Sequence, residues 1–450
     1  MNEFAGWQVL VVGLGASGAA AARVLSEGGA KVRVSERRYR SAGFDLDLLD
    51  GTDVEVLFGG HQESHLDEAS LVVTSPGVPE HAPILQEALR RGLPVWSELE
   101  VGARVATGPY LAVTGTNGKT TTTEMVAAAM RAAGLDAVAC GNIGHPFSLA
   151  AREGHDALVV EASSFQLRFH DSFHPRVSVL LNVAPDHLDW HRSLTAYRSA
   201  KARVYALQGA GDAHVGNRDD AEGARISRAA PCTLVWFRLA APDDGEVGYR
   251  DGVLVSRMRG REAELGEPAS VSSGFRADAA AAAAAALAFG IEAGAVREGI
   301  ASIQPLPHRG RVVATVDSVR FVDDSKATNP HATLAALEGL TDVVLIAGGL
   351  SKGVDLSPLV SATPSLAGVI ALGEAAPQIE ALFEGSVTVR RASSVEEAAG
   401  LGLDLAPHGG TVLLAPACAS QDMFRDYRER GDRFAAAARR LASREGAASG

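Results

Sequence analysis

Apolar residues in this chain gather in short runs that stop at glycine, serine or a carboxylate, and between the runs lie longer stretches with helical spacing. Residues 8–13 (Gln-Val-Leu-Val-Val-Gly) form the first run, residues 16–25 follow with small side chains at helical spacing, and 31–35 alternates as a second strand. Strand, glycine turn, helix and strand make a βαβ unit, and runs this apolar belong to a sheet covered on both faces. The alternation recurs. Residues 71–74 lead through Ser75-Pro76-Gly77-Val78-Pro79 into a helix at 82–91, and residues 110–114 lead through a glycine-rich loop into another. Further strands fall at 157–161 and 177–181, and a helix at 197–205. Residues 208–275 read as short strands and turns without patterned chemistry, and 278–289 as an alanine-rich helix. Strands at 321–323, 343–347 and 412–414 then alternate with helices, as a parallel sheet requires. Linker-like breaks at 106–109 and 304–307 divide the chain into three parts, 1–106, 107–305 and 306–450. The expected class is therefore α/β with three domains: Rossmann-like, P-loop ATPase-like and Rossmann-like again.

Composition narrows the function. The 450 residues are 46% apolar and 21% charged, which excludes a disordered chain or a fibrous repeat. Fifty-four acidic side chains outnumber 42 basic ones for a net charge of −12, which argues against nucleic acid as the principal partner. Three widely spaced cysteines, Cys140, Cys232 and Cys418, offer neither a disulfide framework nor a CxxC site and suit a reducing cytoplasm. The N-terminus lacks the basic start of a signal peptide, and the longest apolar stretch, 279–289, is too short to cross a bilayer, so no membrane insertion is expected. Only five lysines stand among 37 arginines: Lys31, Lys119, Lys201, Lys326 and Lys352. An ammonium is a compact charge that can lose its proton and react, which a guanidinium cannot do. Lys31 reads as a solvated strand residue, whereas the other four fall in or near motifs.

The turn Gly13-Leu14-Gly15-Ala16-Ser17-Gly18, with Glu36 about twenty residues on, is a GxGxxG between strand and helix. Taken alone it fits a dinucleotide or another nucleotide diphosphate equally, because the glycines admit close approach and the helix N-terminus attracts any phosphate. Gly115-Thr116-Asn117-Gly118-Lys119-Thr120-Thr121 is a shortened phosphate-binding loop in its expected place. Glu161 closes an apolar strand, where a carboxylate suits Mg²⁺, and the run Asn182-Val183-Ala184-Pro185-Asp186-His187 opens from the next. Late in the chain, short motifs lie at strand ends: His308-Arg309-Gly310, Asp324 to Pro330, Gly348 to Gly353 and Ala415 to Ser420.

In this order the motifs resemble the Mur ligase family, ATP-dependent amide-forming enzymes of peptidoglycan precursor synthesis, along essentially the whole chain. Within it they resemble the branch that adds D-glutamate to UDP-N-acetylmuramoyl-L-alanine. The resemblance implies an acyl-phosphate route with ATP, two Mg²⁺ ions and a carbamate formed from CO₂ on Lys201, in a cytoplasmic monomer. It implies that the first domain holds the UDP-sugar through Gly15, Ala16, Ser17, Glu36, Arg37, Ser75 and Gly77, with Asn142 nearby. ATP would lie on Gly115, Thr116, Asn117, Gly118, Lys119, Thr120 and Thr121, with Asp278, Arg309 and Asp324. Metal ligands would be Thr120, Glu161, His187 and the modified Lys201. D-Glutamate would meet Asp186, Lys326, Thr328, Lys352, Ser420 and the backbone at Tyr427. Lys119, His187, Lys201 and Lys326 would carry the catalysis, completed when the third domain closes. Asp278, where the family often has asparagine, and Gly310 depart from the pattern, and ionised Asp278 cannot donate an amide-type hydrogen bond.

The rivals are a sister ligase adding another amino acid and, from other classes, an NAD-dependent oxidoreductase on the first βαβ unit or a nucleotide-sensing module. The oxidoreductase leaves residues 115–420 without a purpose, and the sensor conflicts with the presence of Glu161, His187 and Lys201.

Overall fold

A computed structural model describes residues 3–42, 46–270 and 272–448. They form two compact units: Met1–Val183 with Trp190–Ala269 and Arg276–Ile303, and Ala184–Asp189 with Ser270–Phe275 and Gln304–Gly450.

The first unit contains two sheets. Strands β1 (Gln8–Val12), β2 (Lys31–Glu36), β3 (Val54–Phe58), β4 (Leu71–Thr74) and β5 (Val95–Ser97) pair in parallel in the order β3-β2-β1-β4-β5. Valine and leucine side chains of β1 and β4 are buried on both faces, one set against the helix Ala16–Glu27 and the other against Leu66, Ile84 and Leu85. Chain order reverses between β1 and β4, which makes the crevice at their carboxyl ends the natural ligand position. Lys31 is exposed, as its place in the pattern predicts.

The second sheet runs β14-β13-β12-β11-β10-β9-β6-β8-β7. Its strands are β6 (Tyr110–Thr114), β7 (Ala137–Gly141), β8 (Ala157–Glu161), β9 (Val177–Leu180), β10 (Ala213–Asn217), β11 (Thr233–Phe237), β12 (Glu246–Arg250), β13 (Val253–Ser256) and β14 (Ala263–Gly266). All pairings are parallel, including β11 with β12, except β12–β13 and β13–β14 at one edge, which are antiparallel. The short strands read at 208–275 thus extend this sheet. The alanine-rich helix spans Ser273–Phe289, starting earlier than its apolar run, and Ala279 to Ala286 are each fully buried, so it is enclosed on every side.

The second unit carries β15 (Arg311–Val316), β16 (Val319–Asp323), β17 (Val343–Gly348), β18 (Leu366–Leu372), β19 (Val389–Arg391) and β20 (Thr411–Leu414) in the order β15-β16-β20-β17-β18-β19. The three strands read from the sequence, β16, β17 and β20, pair in parallel, and β15, which the sequence reading does not include, adds an antiparallel edge beside β16. Asp317 and Ser318 make the hairpin with φ of 43° and 68°, the left-handed pair that a two-residue turn needs.

One helix contact bears directly on the phosphate loop. The helix Ala293–Ser302 lies so close to the helix Lys119–Ala132 that a Cβ on Gly299 would sit 2.3 Å from the Ala129 nitrogen. Gly299→Leu should therefore overpack this seam and cost about 1–3 kcal/mol, seen as a lower denaturant midpoint with an unchanged slope.

Candidate functional site

The phosphate loop grows out of β6, whose five residues are buried, and enters the helix Lys119–Ala132 through Gly118. Gly118 has φ 86°, and a Cβ there would lie 2.0 Å from Asp278 Oδ1, so only glycine fits. Two braces hold the loop from the β9 side. Asn182 takes the Asn117 amide on its Oδ1 at 2.8 Å and gives its Nδ2 to the Asn117 carbonyl at 3.2 Å, while its own carbonyl accepts the Thr116 amide. Tyr197 OH meets Thr116 Oγ1 at 2.9 Å.

Lys119 Nζ donates to the carbonyls of Gly115 and Thr116, each at 2.9 Å. Lys201 Nζ, from the helix Leu194–Ala202, donates to the same Gly115 oxygen at 2.6 Å and lies 4.6 Å from the Tyr197 ring centroid. Its side chain is 1% exposed. Two ammonium groups thus share one carbonyl oxygen, and their mutual repulsion is strengthened by removal from water. Beside them Thr120 Oγ1 donates to Glu161 Oε2 at 2.8 Å, and Asn142 Nδ2 to Glu161 Oε1 at 2.9 Å. A hydroxyl and a buried carboxylate are hard oxygen ligands, the type Mg²⁺ prefers. Among the described residues no three His, Cys, Asp or Glu side chains gather as a ready metal centre. The fit is that of a site completed by phosphate oxygens.

At the first sheet the GxGxxG turn is tightly built. A Cβ on Gly18 would lie 2.0 Å from the Gly13 carbonyl, and Ser75 Oγ donates to that carbonyl at 2.7 Å. The helix behind it starts at Ala16 with Gly15 as N-cap and no side-chain cap, an N-terminus suited to a diphosphate. Glu36 Oε2 accepts the Leu14 amide at 2.8 Å, and Oε1 accepts both the amide and the Nε of Arg38. Burial pushes the Glu36 carboxyl up, but the Arg38 bonds and the Leu14 amide outweigh it and hold it at about 2. The residue paired with Glu36 is thus Arg38; Arg37 and Arg38 are both exposed, as is Gly77 at the β4 turn.

In the second unit three strand-end loops are stitched together. The Ala417 amide bonds the Ala327 carbonyl, Leu350 and Ala419 exchange amide bonds, and the Gly348 amide meets the Pro416 carbonyl. The side chain of Arg430, 1% exposed, fastens the same loops: Nε to Ser325 Oγ, Nη2 to the Ser325 carbonyl at 2.9 Å, Nη1 to the Cys418 carbonyl at 3.2 Å. Burial lowers its guanidinium to about 10. Sequence reasoning passes over Arg430, since one arginine among many carries no signal. Asp186 Oδ2 accepts Asn329 Nδ2 at 3.2 Å, and its Oδ1 accepts the His187 amide at 2.8 Å and lies 3.9 Å from Lys352 Nζ. Lys326 Nζ lies 4.1 Å from the Tyr427 ring centroid, and the Tyr427 carbonyl accepts from Ser325 Oγ at 2.8 Å. Ser420 is buried, and the Thr328 amide bonds the Lys326 carbonyl. His187, His308, Lys352 and Ala417 all have φ between 53° and 62°, a strained region for residues with a Cβ.

The structure thus joins Lys119, Thr120, Glu161, Asn142, Lys201 and Asp278 in one unit, and Asp186, His187, Lys326, Thr328 and Lys352 in the other. Arg309 and Asp324 also belong to the second. Burial pushes the Asp324 carboxyl up to about 7, against the pull of the Arg309 guanidinium and the Gly310 amide.

Three domain families match the chain: Mur ligase MurD-like N-terminal domain over residues 7–97, Mur ligase middle domain over 113–251, and Mur ligase glutamate ligase domain over 308–418. A curated protein of Frankia casuarinae named UDP-N-acetylmuramoylalanine--D-glutamate ligase is 44% identical, covering 99% of this chain and 96% of its own. One of the same name from Streptomyces avermitilis is 41% identical over 98% of this chain and 100% of its own. Among solved structures, MurF of Acinetobacter baumannii aligns with TM-score 0.61 at 16% identity, over 97% of this chain and 90% of that one. UDP-N-acetylmuramate-alanine ligase MurC of Thermotoga maritima aligns with TM-score 0.59 at 19% identity, over 97% and 99%. These two likenesses speak for the fold.

An unfolded aspartate ionises near 3.8, whereas folded Asp324 keeps its proton to about 7, so the unfolded state binds fewer protons between those values and stability falls as pH rises through them. Asp324→Asn should flatten that fall. Chemical denaturation should show a gain over the parent on the order of 1 kcal/mol at about pH 8 and none at about pH 4.

Proposed function

The chain belongs to the Mur ligase family, and on that premise we propose how its residues use ATP to join D-glutamate to UDP-N-acetylmuramoyl-L-alanine. The observation that carries the reading is the convergence of Lys119 and Lys201 on Gly115 beside the Thr120 and Glu161 pair. The γ-phosphate of ATP passes to the alanine carboxylate, giving an acyl phosphate and ADP. The amine of D-glutamate then attacks the acyl carbon, the amide forms and phosphate leaves. Both stages gather anionic groups, and fixed positive charge in a site poor in water lowers the energy of that gathering.

Lys119 swings from its loop carbonyls to the β- and γ-phosphates. Thr120, Glu161 and a carbamate on Lys201 are the oxygen groups that would hold Mg²⁺, which when bound neutralises phosphate charge. The carbamate is what membership of the family implies at Lys201, and the local charge is consistent with it. The neutral amine of Lys201 takes up CO₂ and releases a proton, which replaces a buried cation beside Lys119 with an anion and turns repulsion into attraction. In the second unit the ammonium groups of Lys326 and Lys352 suit an amino acid with two carboxylates, and Thr328 and Ser420 add hydroxyls. Asp186 is placed to accept from its amine. The UDP group lies on the turn Gly15-Ala16-Ser17 at the β1/β4 crevice, framed by Ser75 and Gly77. We set the domain boundaries near residues 106 and 305, at the linker-like breaks of the sequence. No helix of the described residues is long and apolar enough to cross a membrane, and we place the reaction in the cytoplasm.

Phosphate release from ATP and the UDP-sugar, followed with D-glutamate, L-glutamate, L-alanine or diaminopimelate in parallel, tests the reading. Turnover with D-glutamate alone is expected; turnover with another amino acid instead would transfer the assignment to a sister ligase. Lys201→Arg, which keeps the cation but cannot form a carbamate, should lower kcat on the order of 10²-fold or more. The parent enzyme should lose activity in CO₂-free buffer and regain it with bicarbonate, and indifference to bicarbonate would count against the carbamate.

A further inference from the structure

Glu98 is 1% exposed, and no step of the reaction above uses its carboxylate. Burying an anion is costly unless its oxygens are met by donors, so the donors show what it serves. Glu98 opens the helix Glu98–Val105, which leads from β5 of the first sheet toward β6 of the second. Its Oε1 accepts the Ser148 amide at 2.6 Å, and its Oε2 accepts Gln166 Nε2 at 3.4 Å. Both oxygens thus face donors, the arrangement that an ionised carboxylate takes. Burial pushes this carboxyl up, against the pull of the Ser148 and Gln166 bonds and of the His145 charge.

The two donors belong to the short helices that follow β7 and β8. The helix Phe147–Ala150 has no side-chain cap of its own, so Glu98 meets one of its free amides. The helix Ser164–Leu167 starts with a capping box, in which Gln166 Oε1 takes the Ser163 amide at 3.1 Å and the Ser163 hydroxyl at 2.8 Å. One turn along from Glu98, a Cβ on Gly102 would stand 2.4 Å from Phe147 Cδ1, so the helix backbone itself touches that ring. Just before these two helices the chain carries groups of the site. Strands β7 and β8 pair with Gly141 opposite Glu161. The Asn142 amide bonds the Glu161 carbonyl at 2.9 Å and Asn142 Nδ2 bonds Glu161 Oε1 at 2.9 Å, while Thr120 holds Oε2. The aim of the Glu161 carboxylate is therefore set by how the segment after β7 lies against the end of β8, and Glu98 grips the far end of both.

We propose that Glu98 is a positioning residue for the ligase reaction: by tying the starts of both helices to one carboxylate, it fixes Asn142 against Glu161 and holds the Glu161 oxygens ready for Mg²⁺. The assignment rests on the reading of Glu161 as a Mg²⁺ group and adds the residue that keeps it in place.

The test compares full-length Glu98→Gln, Glu98→Met, Asn142→Ala and the Glu98→Met/Asn142→Ala double variant with the parent. Calorimetry reads ADP affinity with Mg²⁺ and with EDTA, and turnover gives kcat. Glu98→Met, an apolar side chain of similar volume, loses both bonds and should shrink the Mg²⁺-dependent gain in ADP affinity about tenfold. Glu98→Gln, whose one oxygen can meet only one of the two donors, should fall between it and the parent. ADP affinity in EDTA should match the parent throughout, and kcat should fall in the same order as the Mg²⁺-dependent gain. Asn142→Ala should cause a similar loss, and adding Glu98→Met to it should cost no more than about twofold further, because both act on one bond. A Glu98→Met gain within about twofold of the parent, losses that multiply in the double variant, or failure of both Glu98 variants to fold would overturn the proposal and leave Glu98 a residue of stability alone. A parent with no Mg²⁺-dependent gain would overturn the reading of the Mg²⁺ site itself, and the proposal with it.

Discussion

Positive charge held close to the Gly115 carbonyl, within reach of the Glu161 carboxylate, is the constraint around which the first unit is organised. Two ammonium groups on one oxygen are stable only if the loop cannot yield, and each neighbour contributes to that rigidity. Asn182 closes a reciprocal pair of hydrogen bonds on Asn117, Tyr197 holds Thr116 from the side, and Asp278 presses against a glycine that tolerates nothing larger. The helix behind the loop is set at backbone distance from its partner through Gly299. Such preorganisation lets electrostatic stabilisation act without reorganisation at the moment of reaction.

The second unit meets a related demand differently. Its candidate ligand groups come from loops far apart in sequence, and no regular element runs through them. Order comes from backbone hydrogen bonds between loops, from the buried guanidinium of Arg430 and from strained residues that the surroundings hold in place. Backbone strain in non-glycine residues is sustained only where neighbouring contacts over-determine it, and three of these four positions adjoin or carry groups expected at the substrates.

Much of this was legible in the chain itself, for physical reasons. Strands buried on both faces leave runs such as Val343 to Ala347 that little else explains, and a loop that must bind phosphate is restricted to few residue types, so Gly115 to Thr121 stands out. Lysines that survive in an arginine-rich chain stand out as a group, but Lys201 on its own reads as an ordinary surface lysine in mid-helix, and its burial is decided by tertiary neighbours. What escaped depends on tertiary neighbours. The antiparallel β15 hides because Asp317-Ser318 is not a common hairpin pair, and residues 208–275 read as short strands and turns without showing that they continue the sheet of β6 to β9, because strand neighbours are chosen by tertiary pairing. Arg38 and Arg37 cannot be told apart by spacing, since only the direction of the chain after β2 decides which one turns back to Glu36. Asn182 was visible as part of a motif, but its service to the phosphate loop was not, because that service is made across adjacent strands.

Arg430 binds both the loop that starts at Ser325 and the loop through Cys418 with a single planar group. Neither loop can therefore drift or lengthen without breaking the geometry of the other. Change in this region is thereby channelled toward exchanging side chains on fixed rails and away from reshaping the rails themselves.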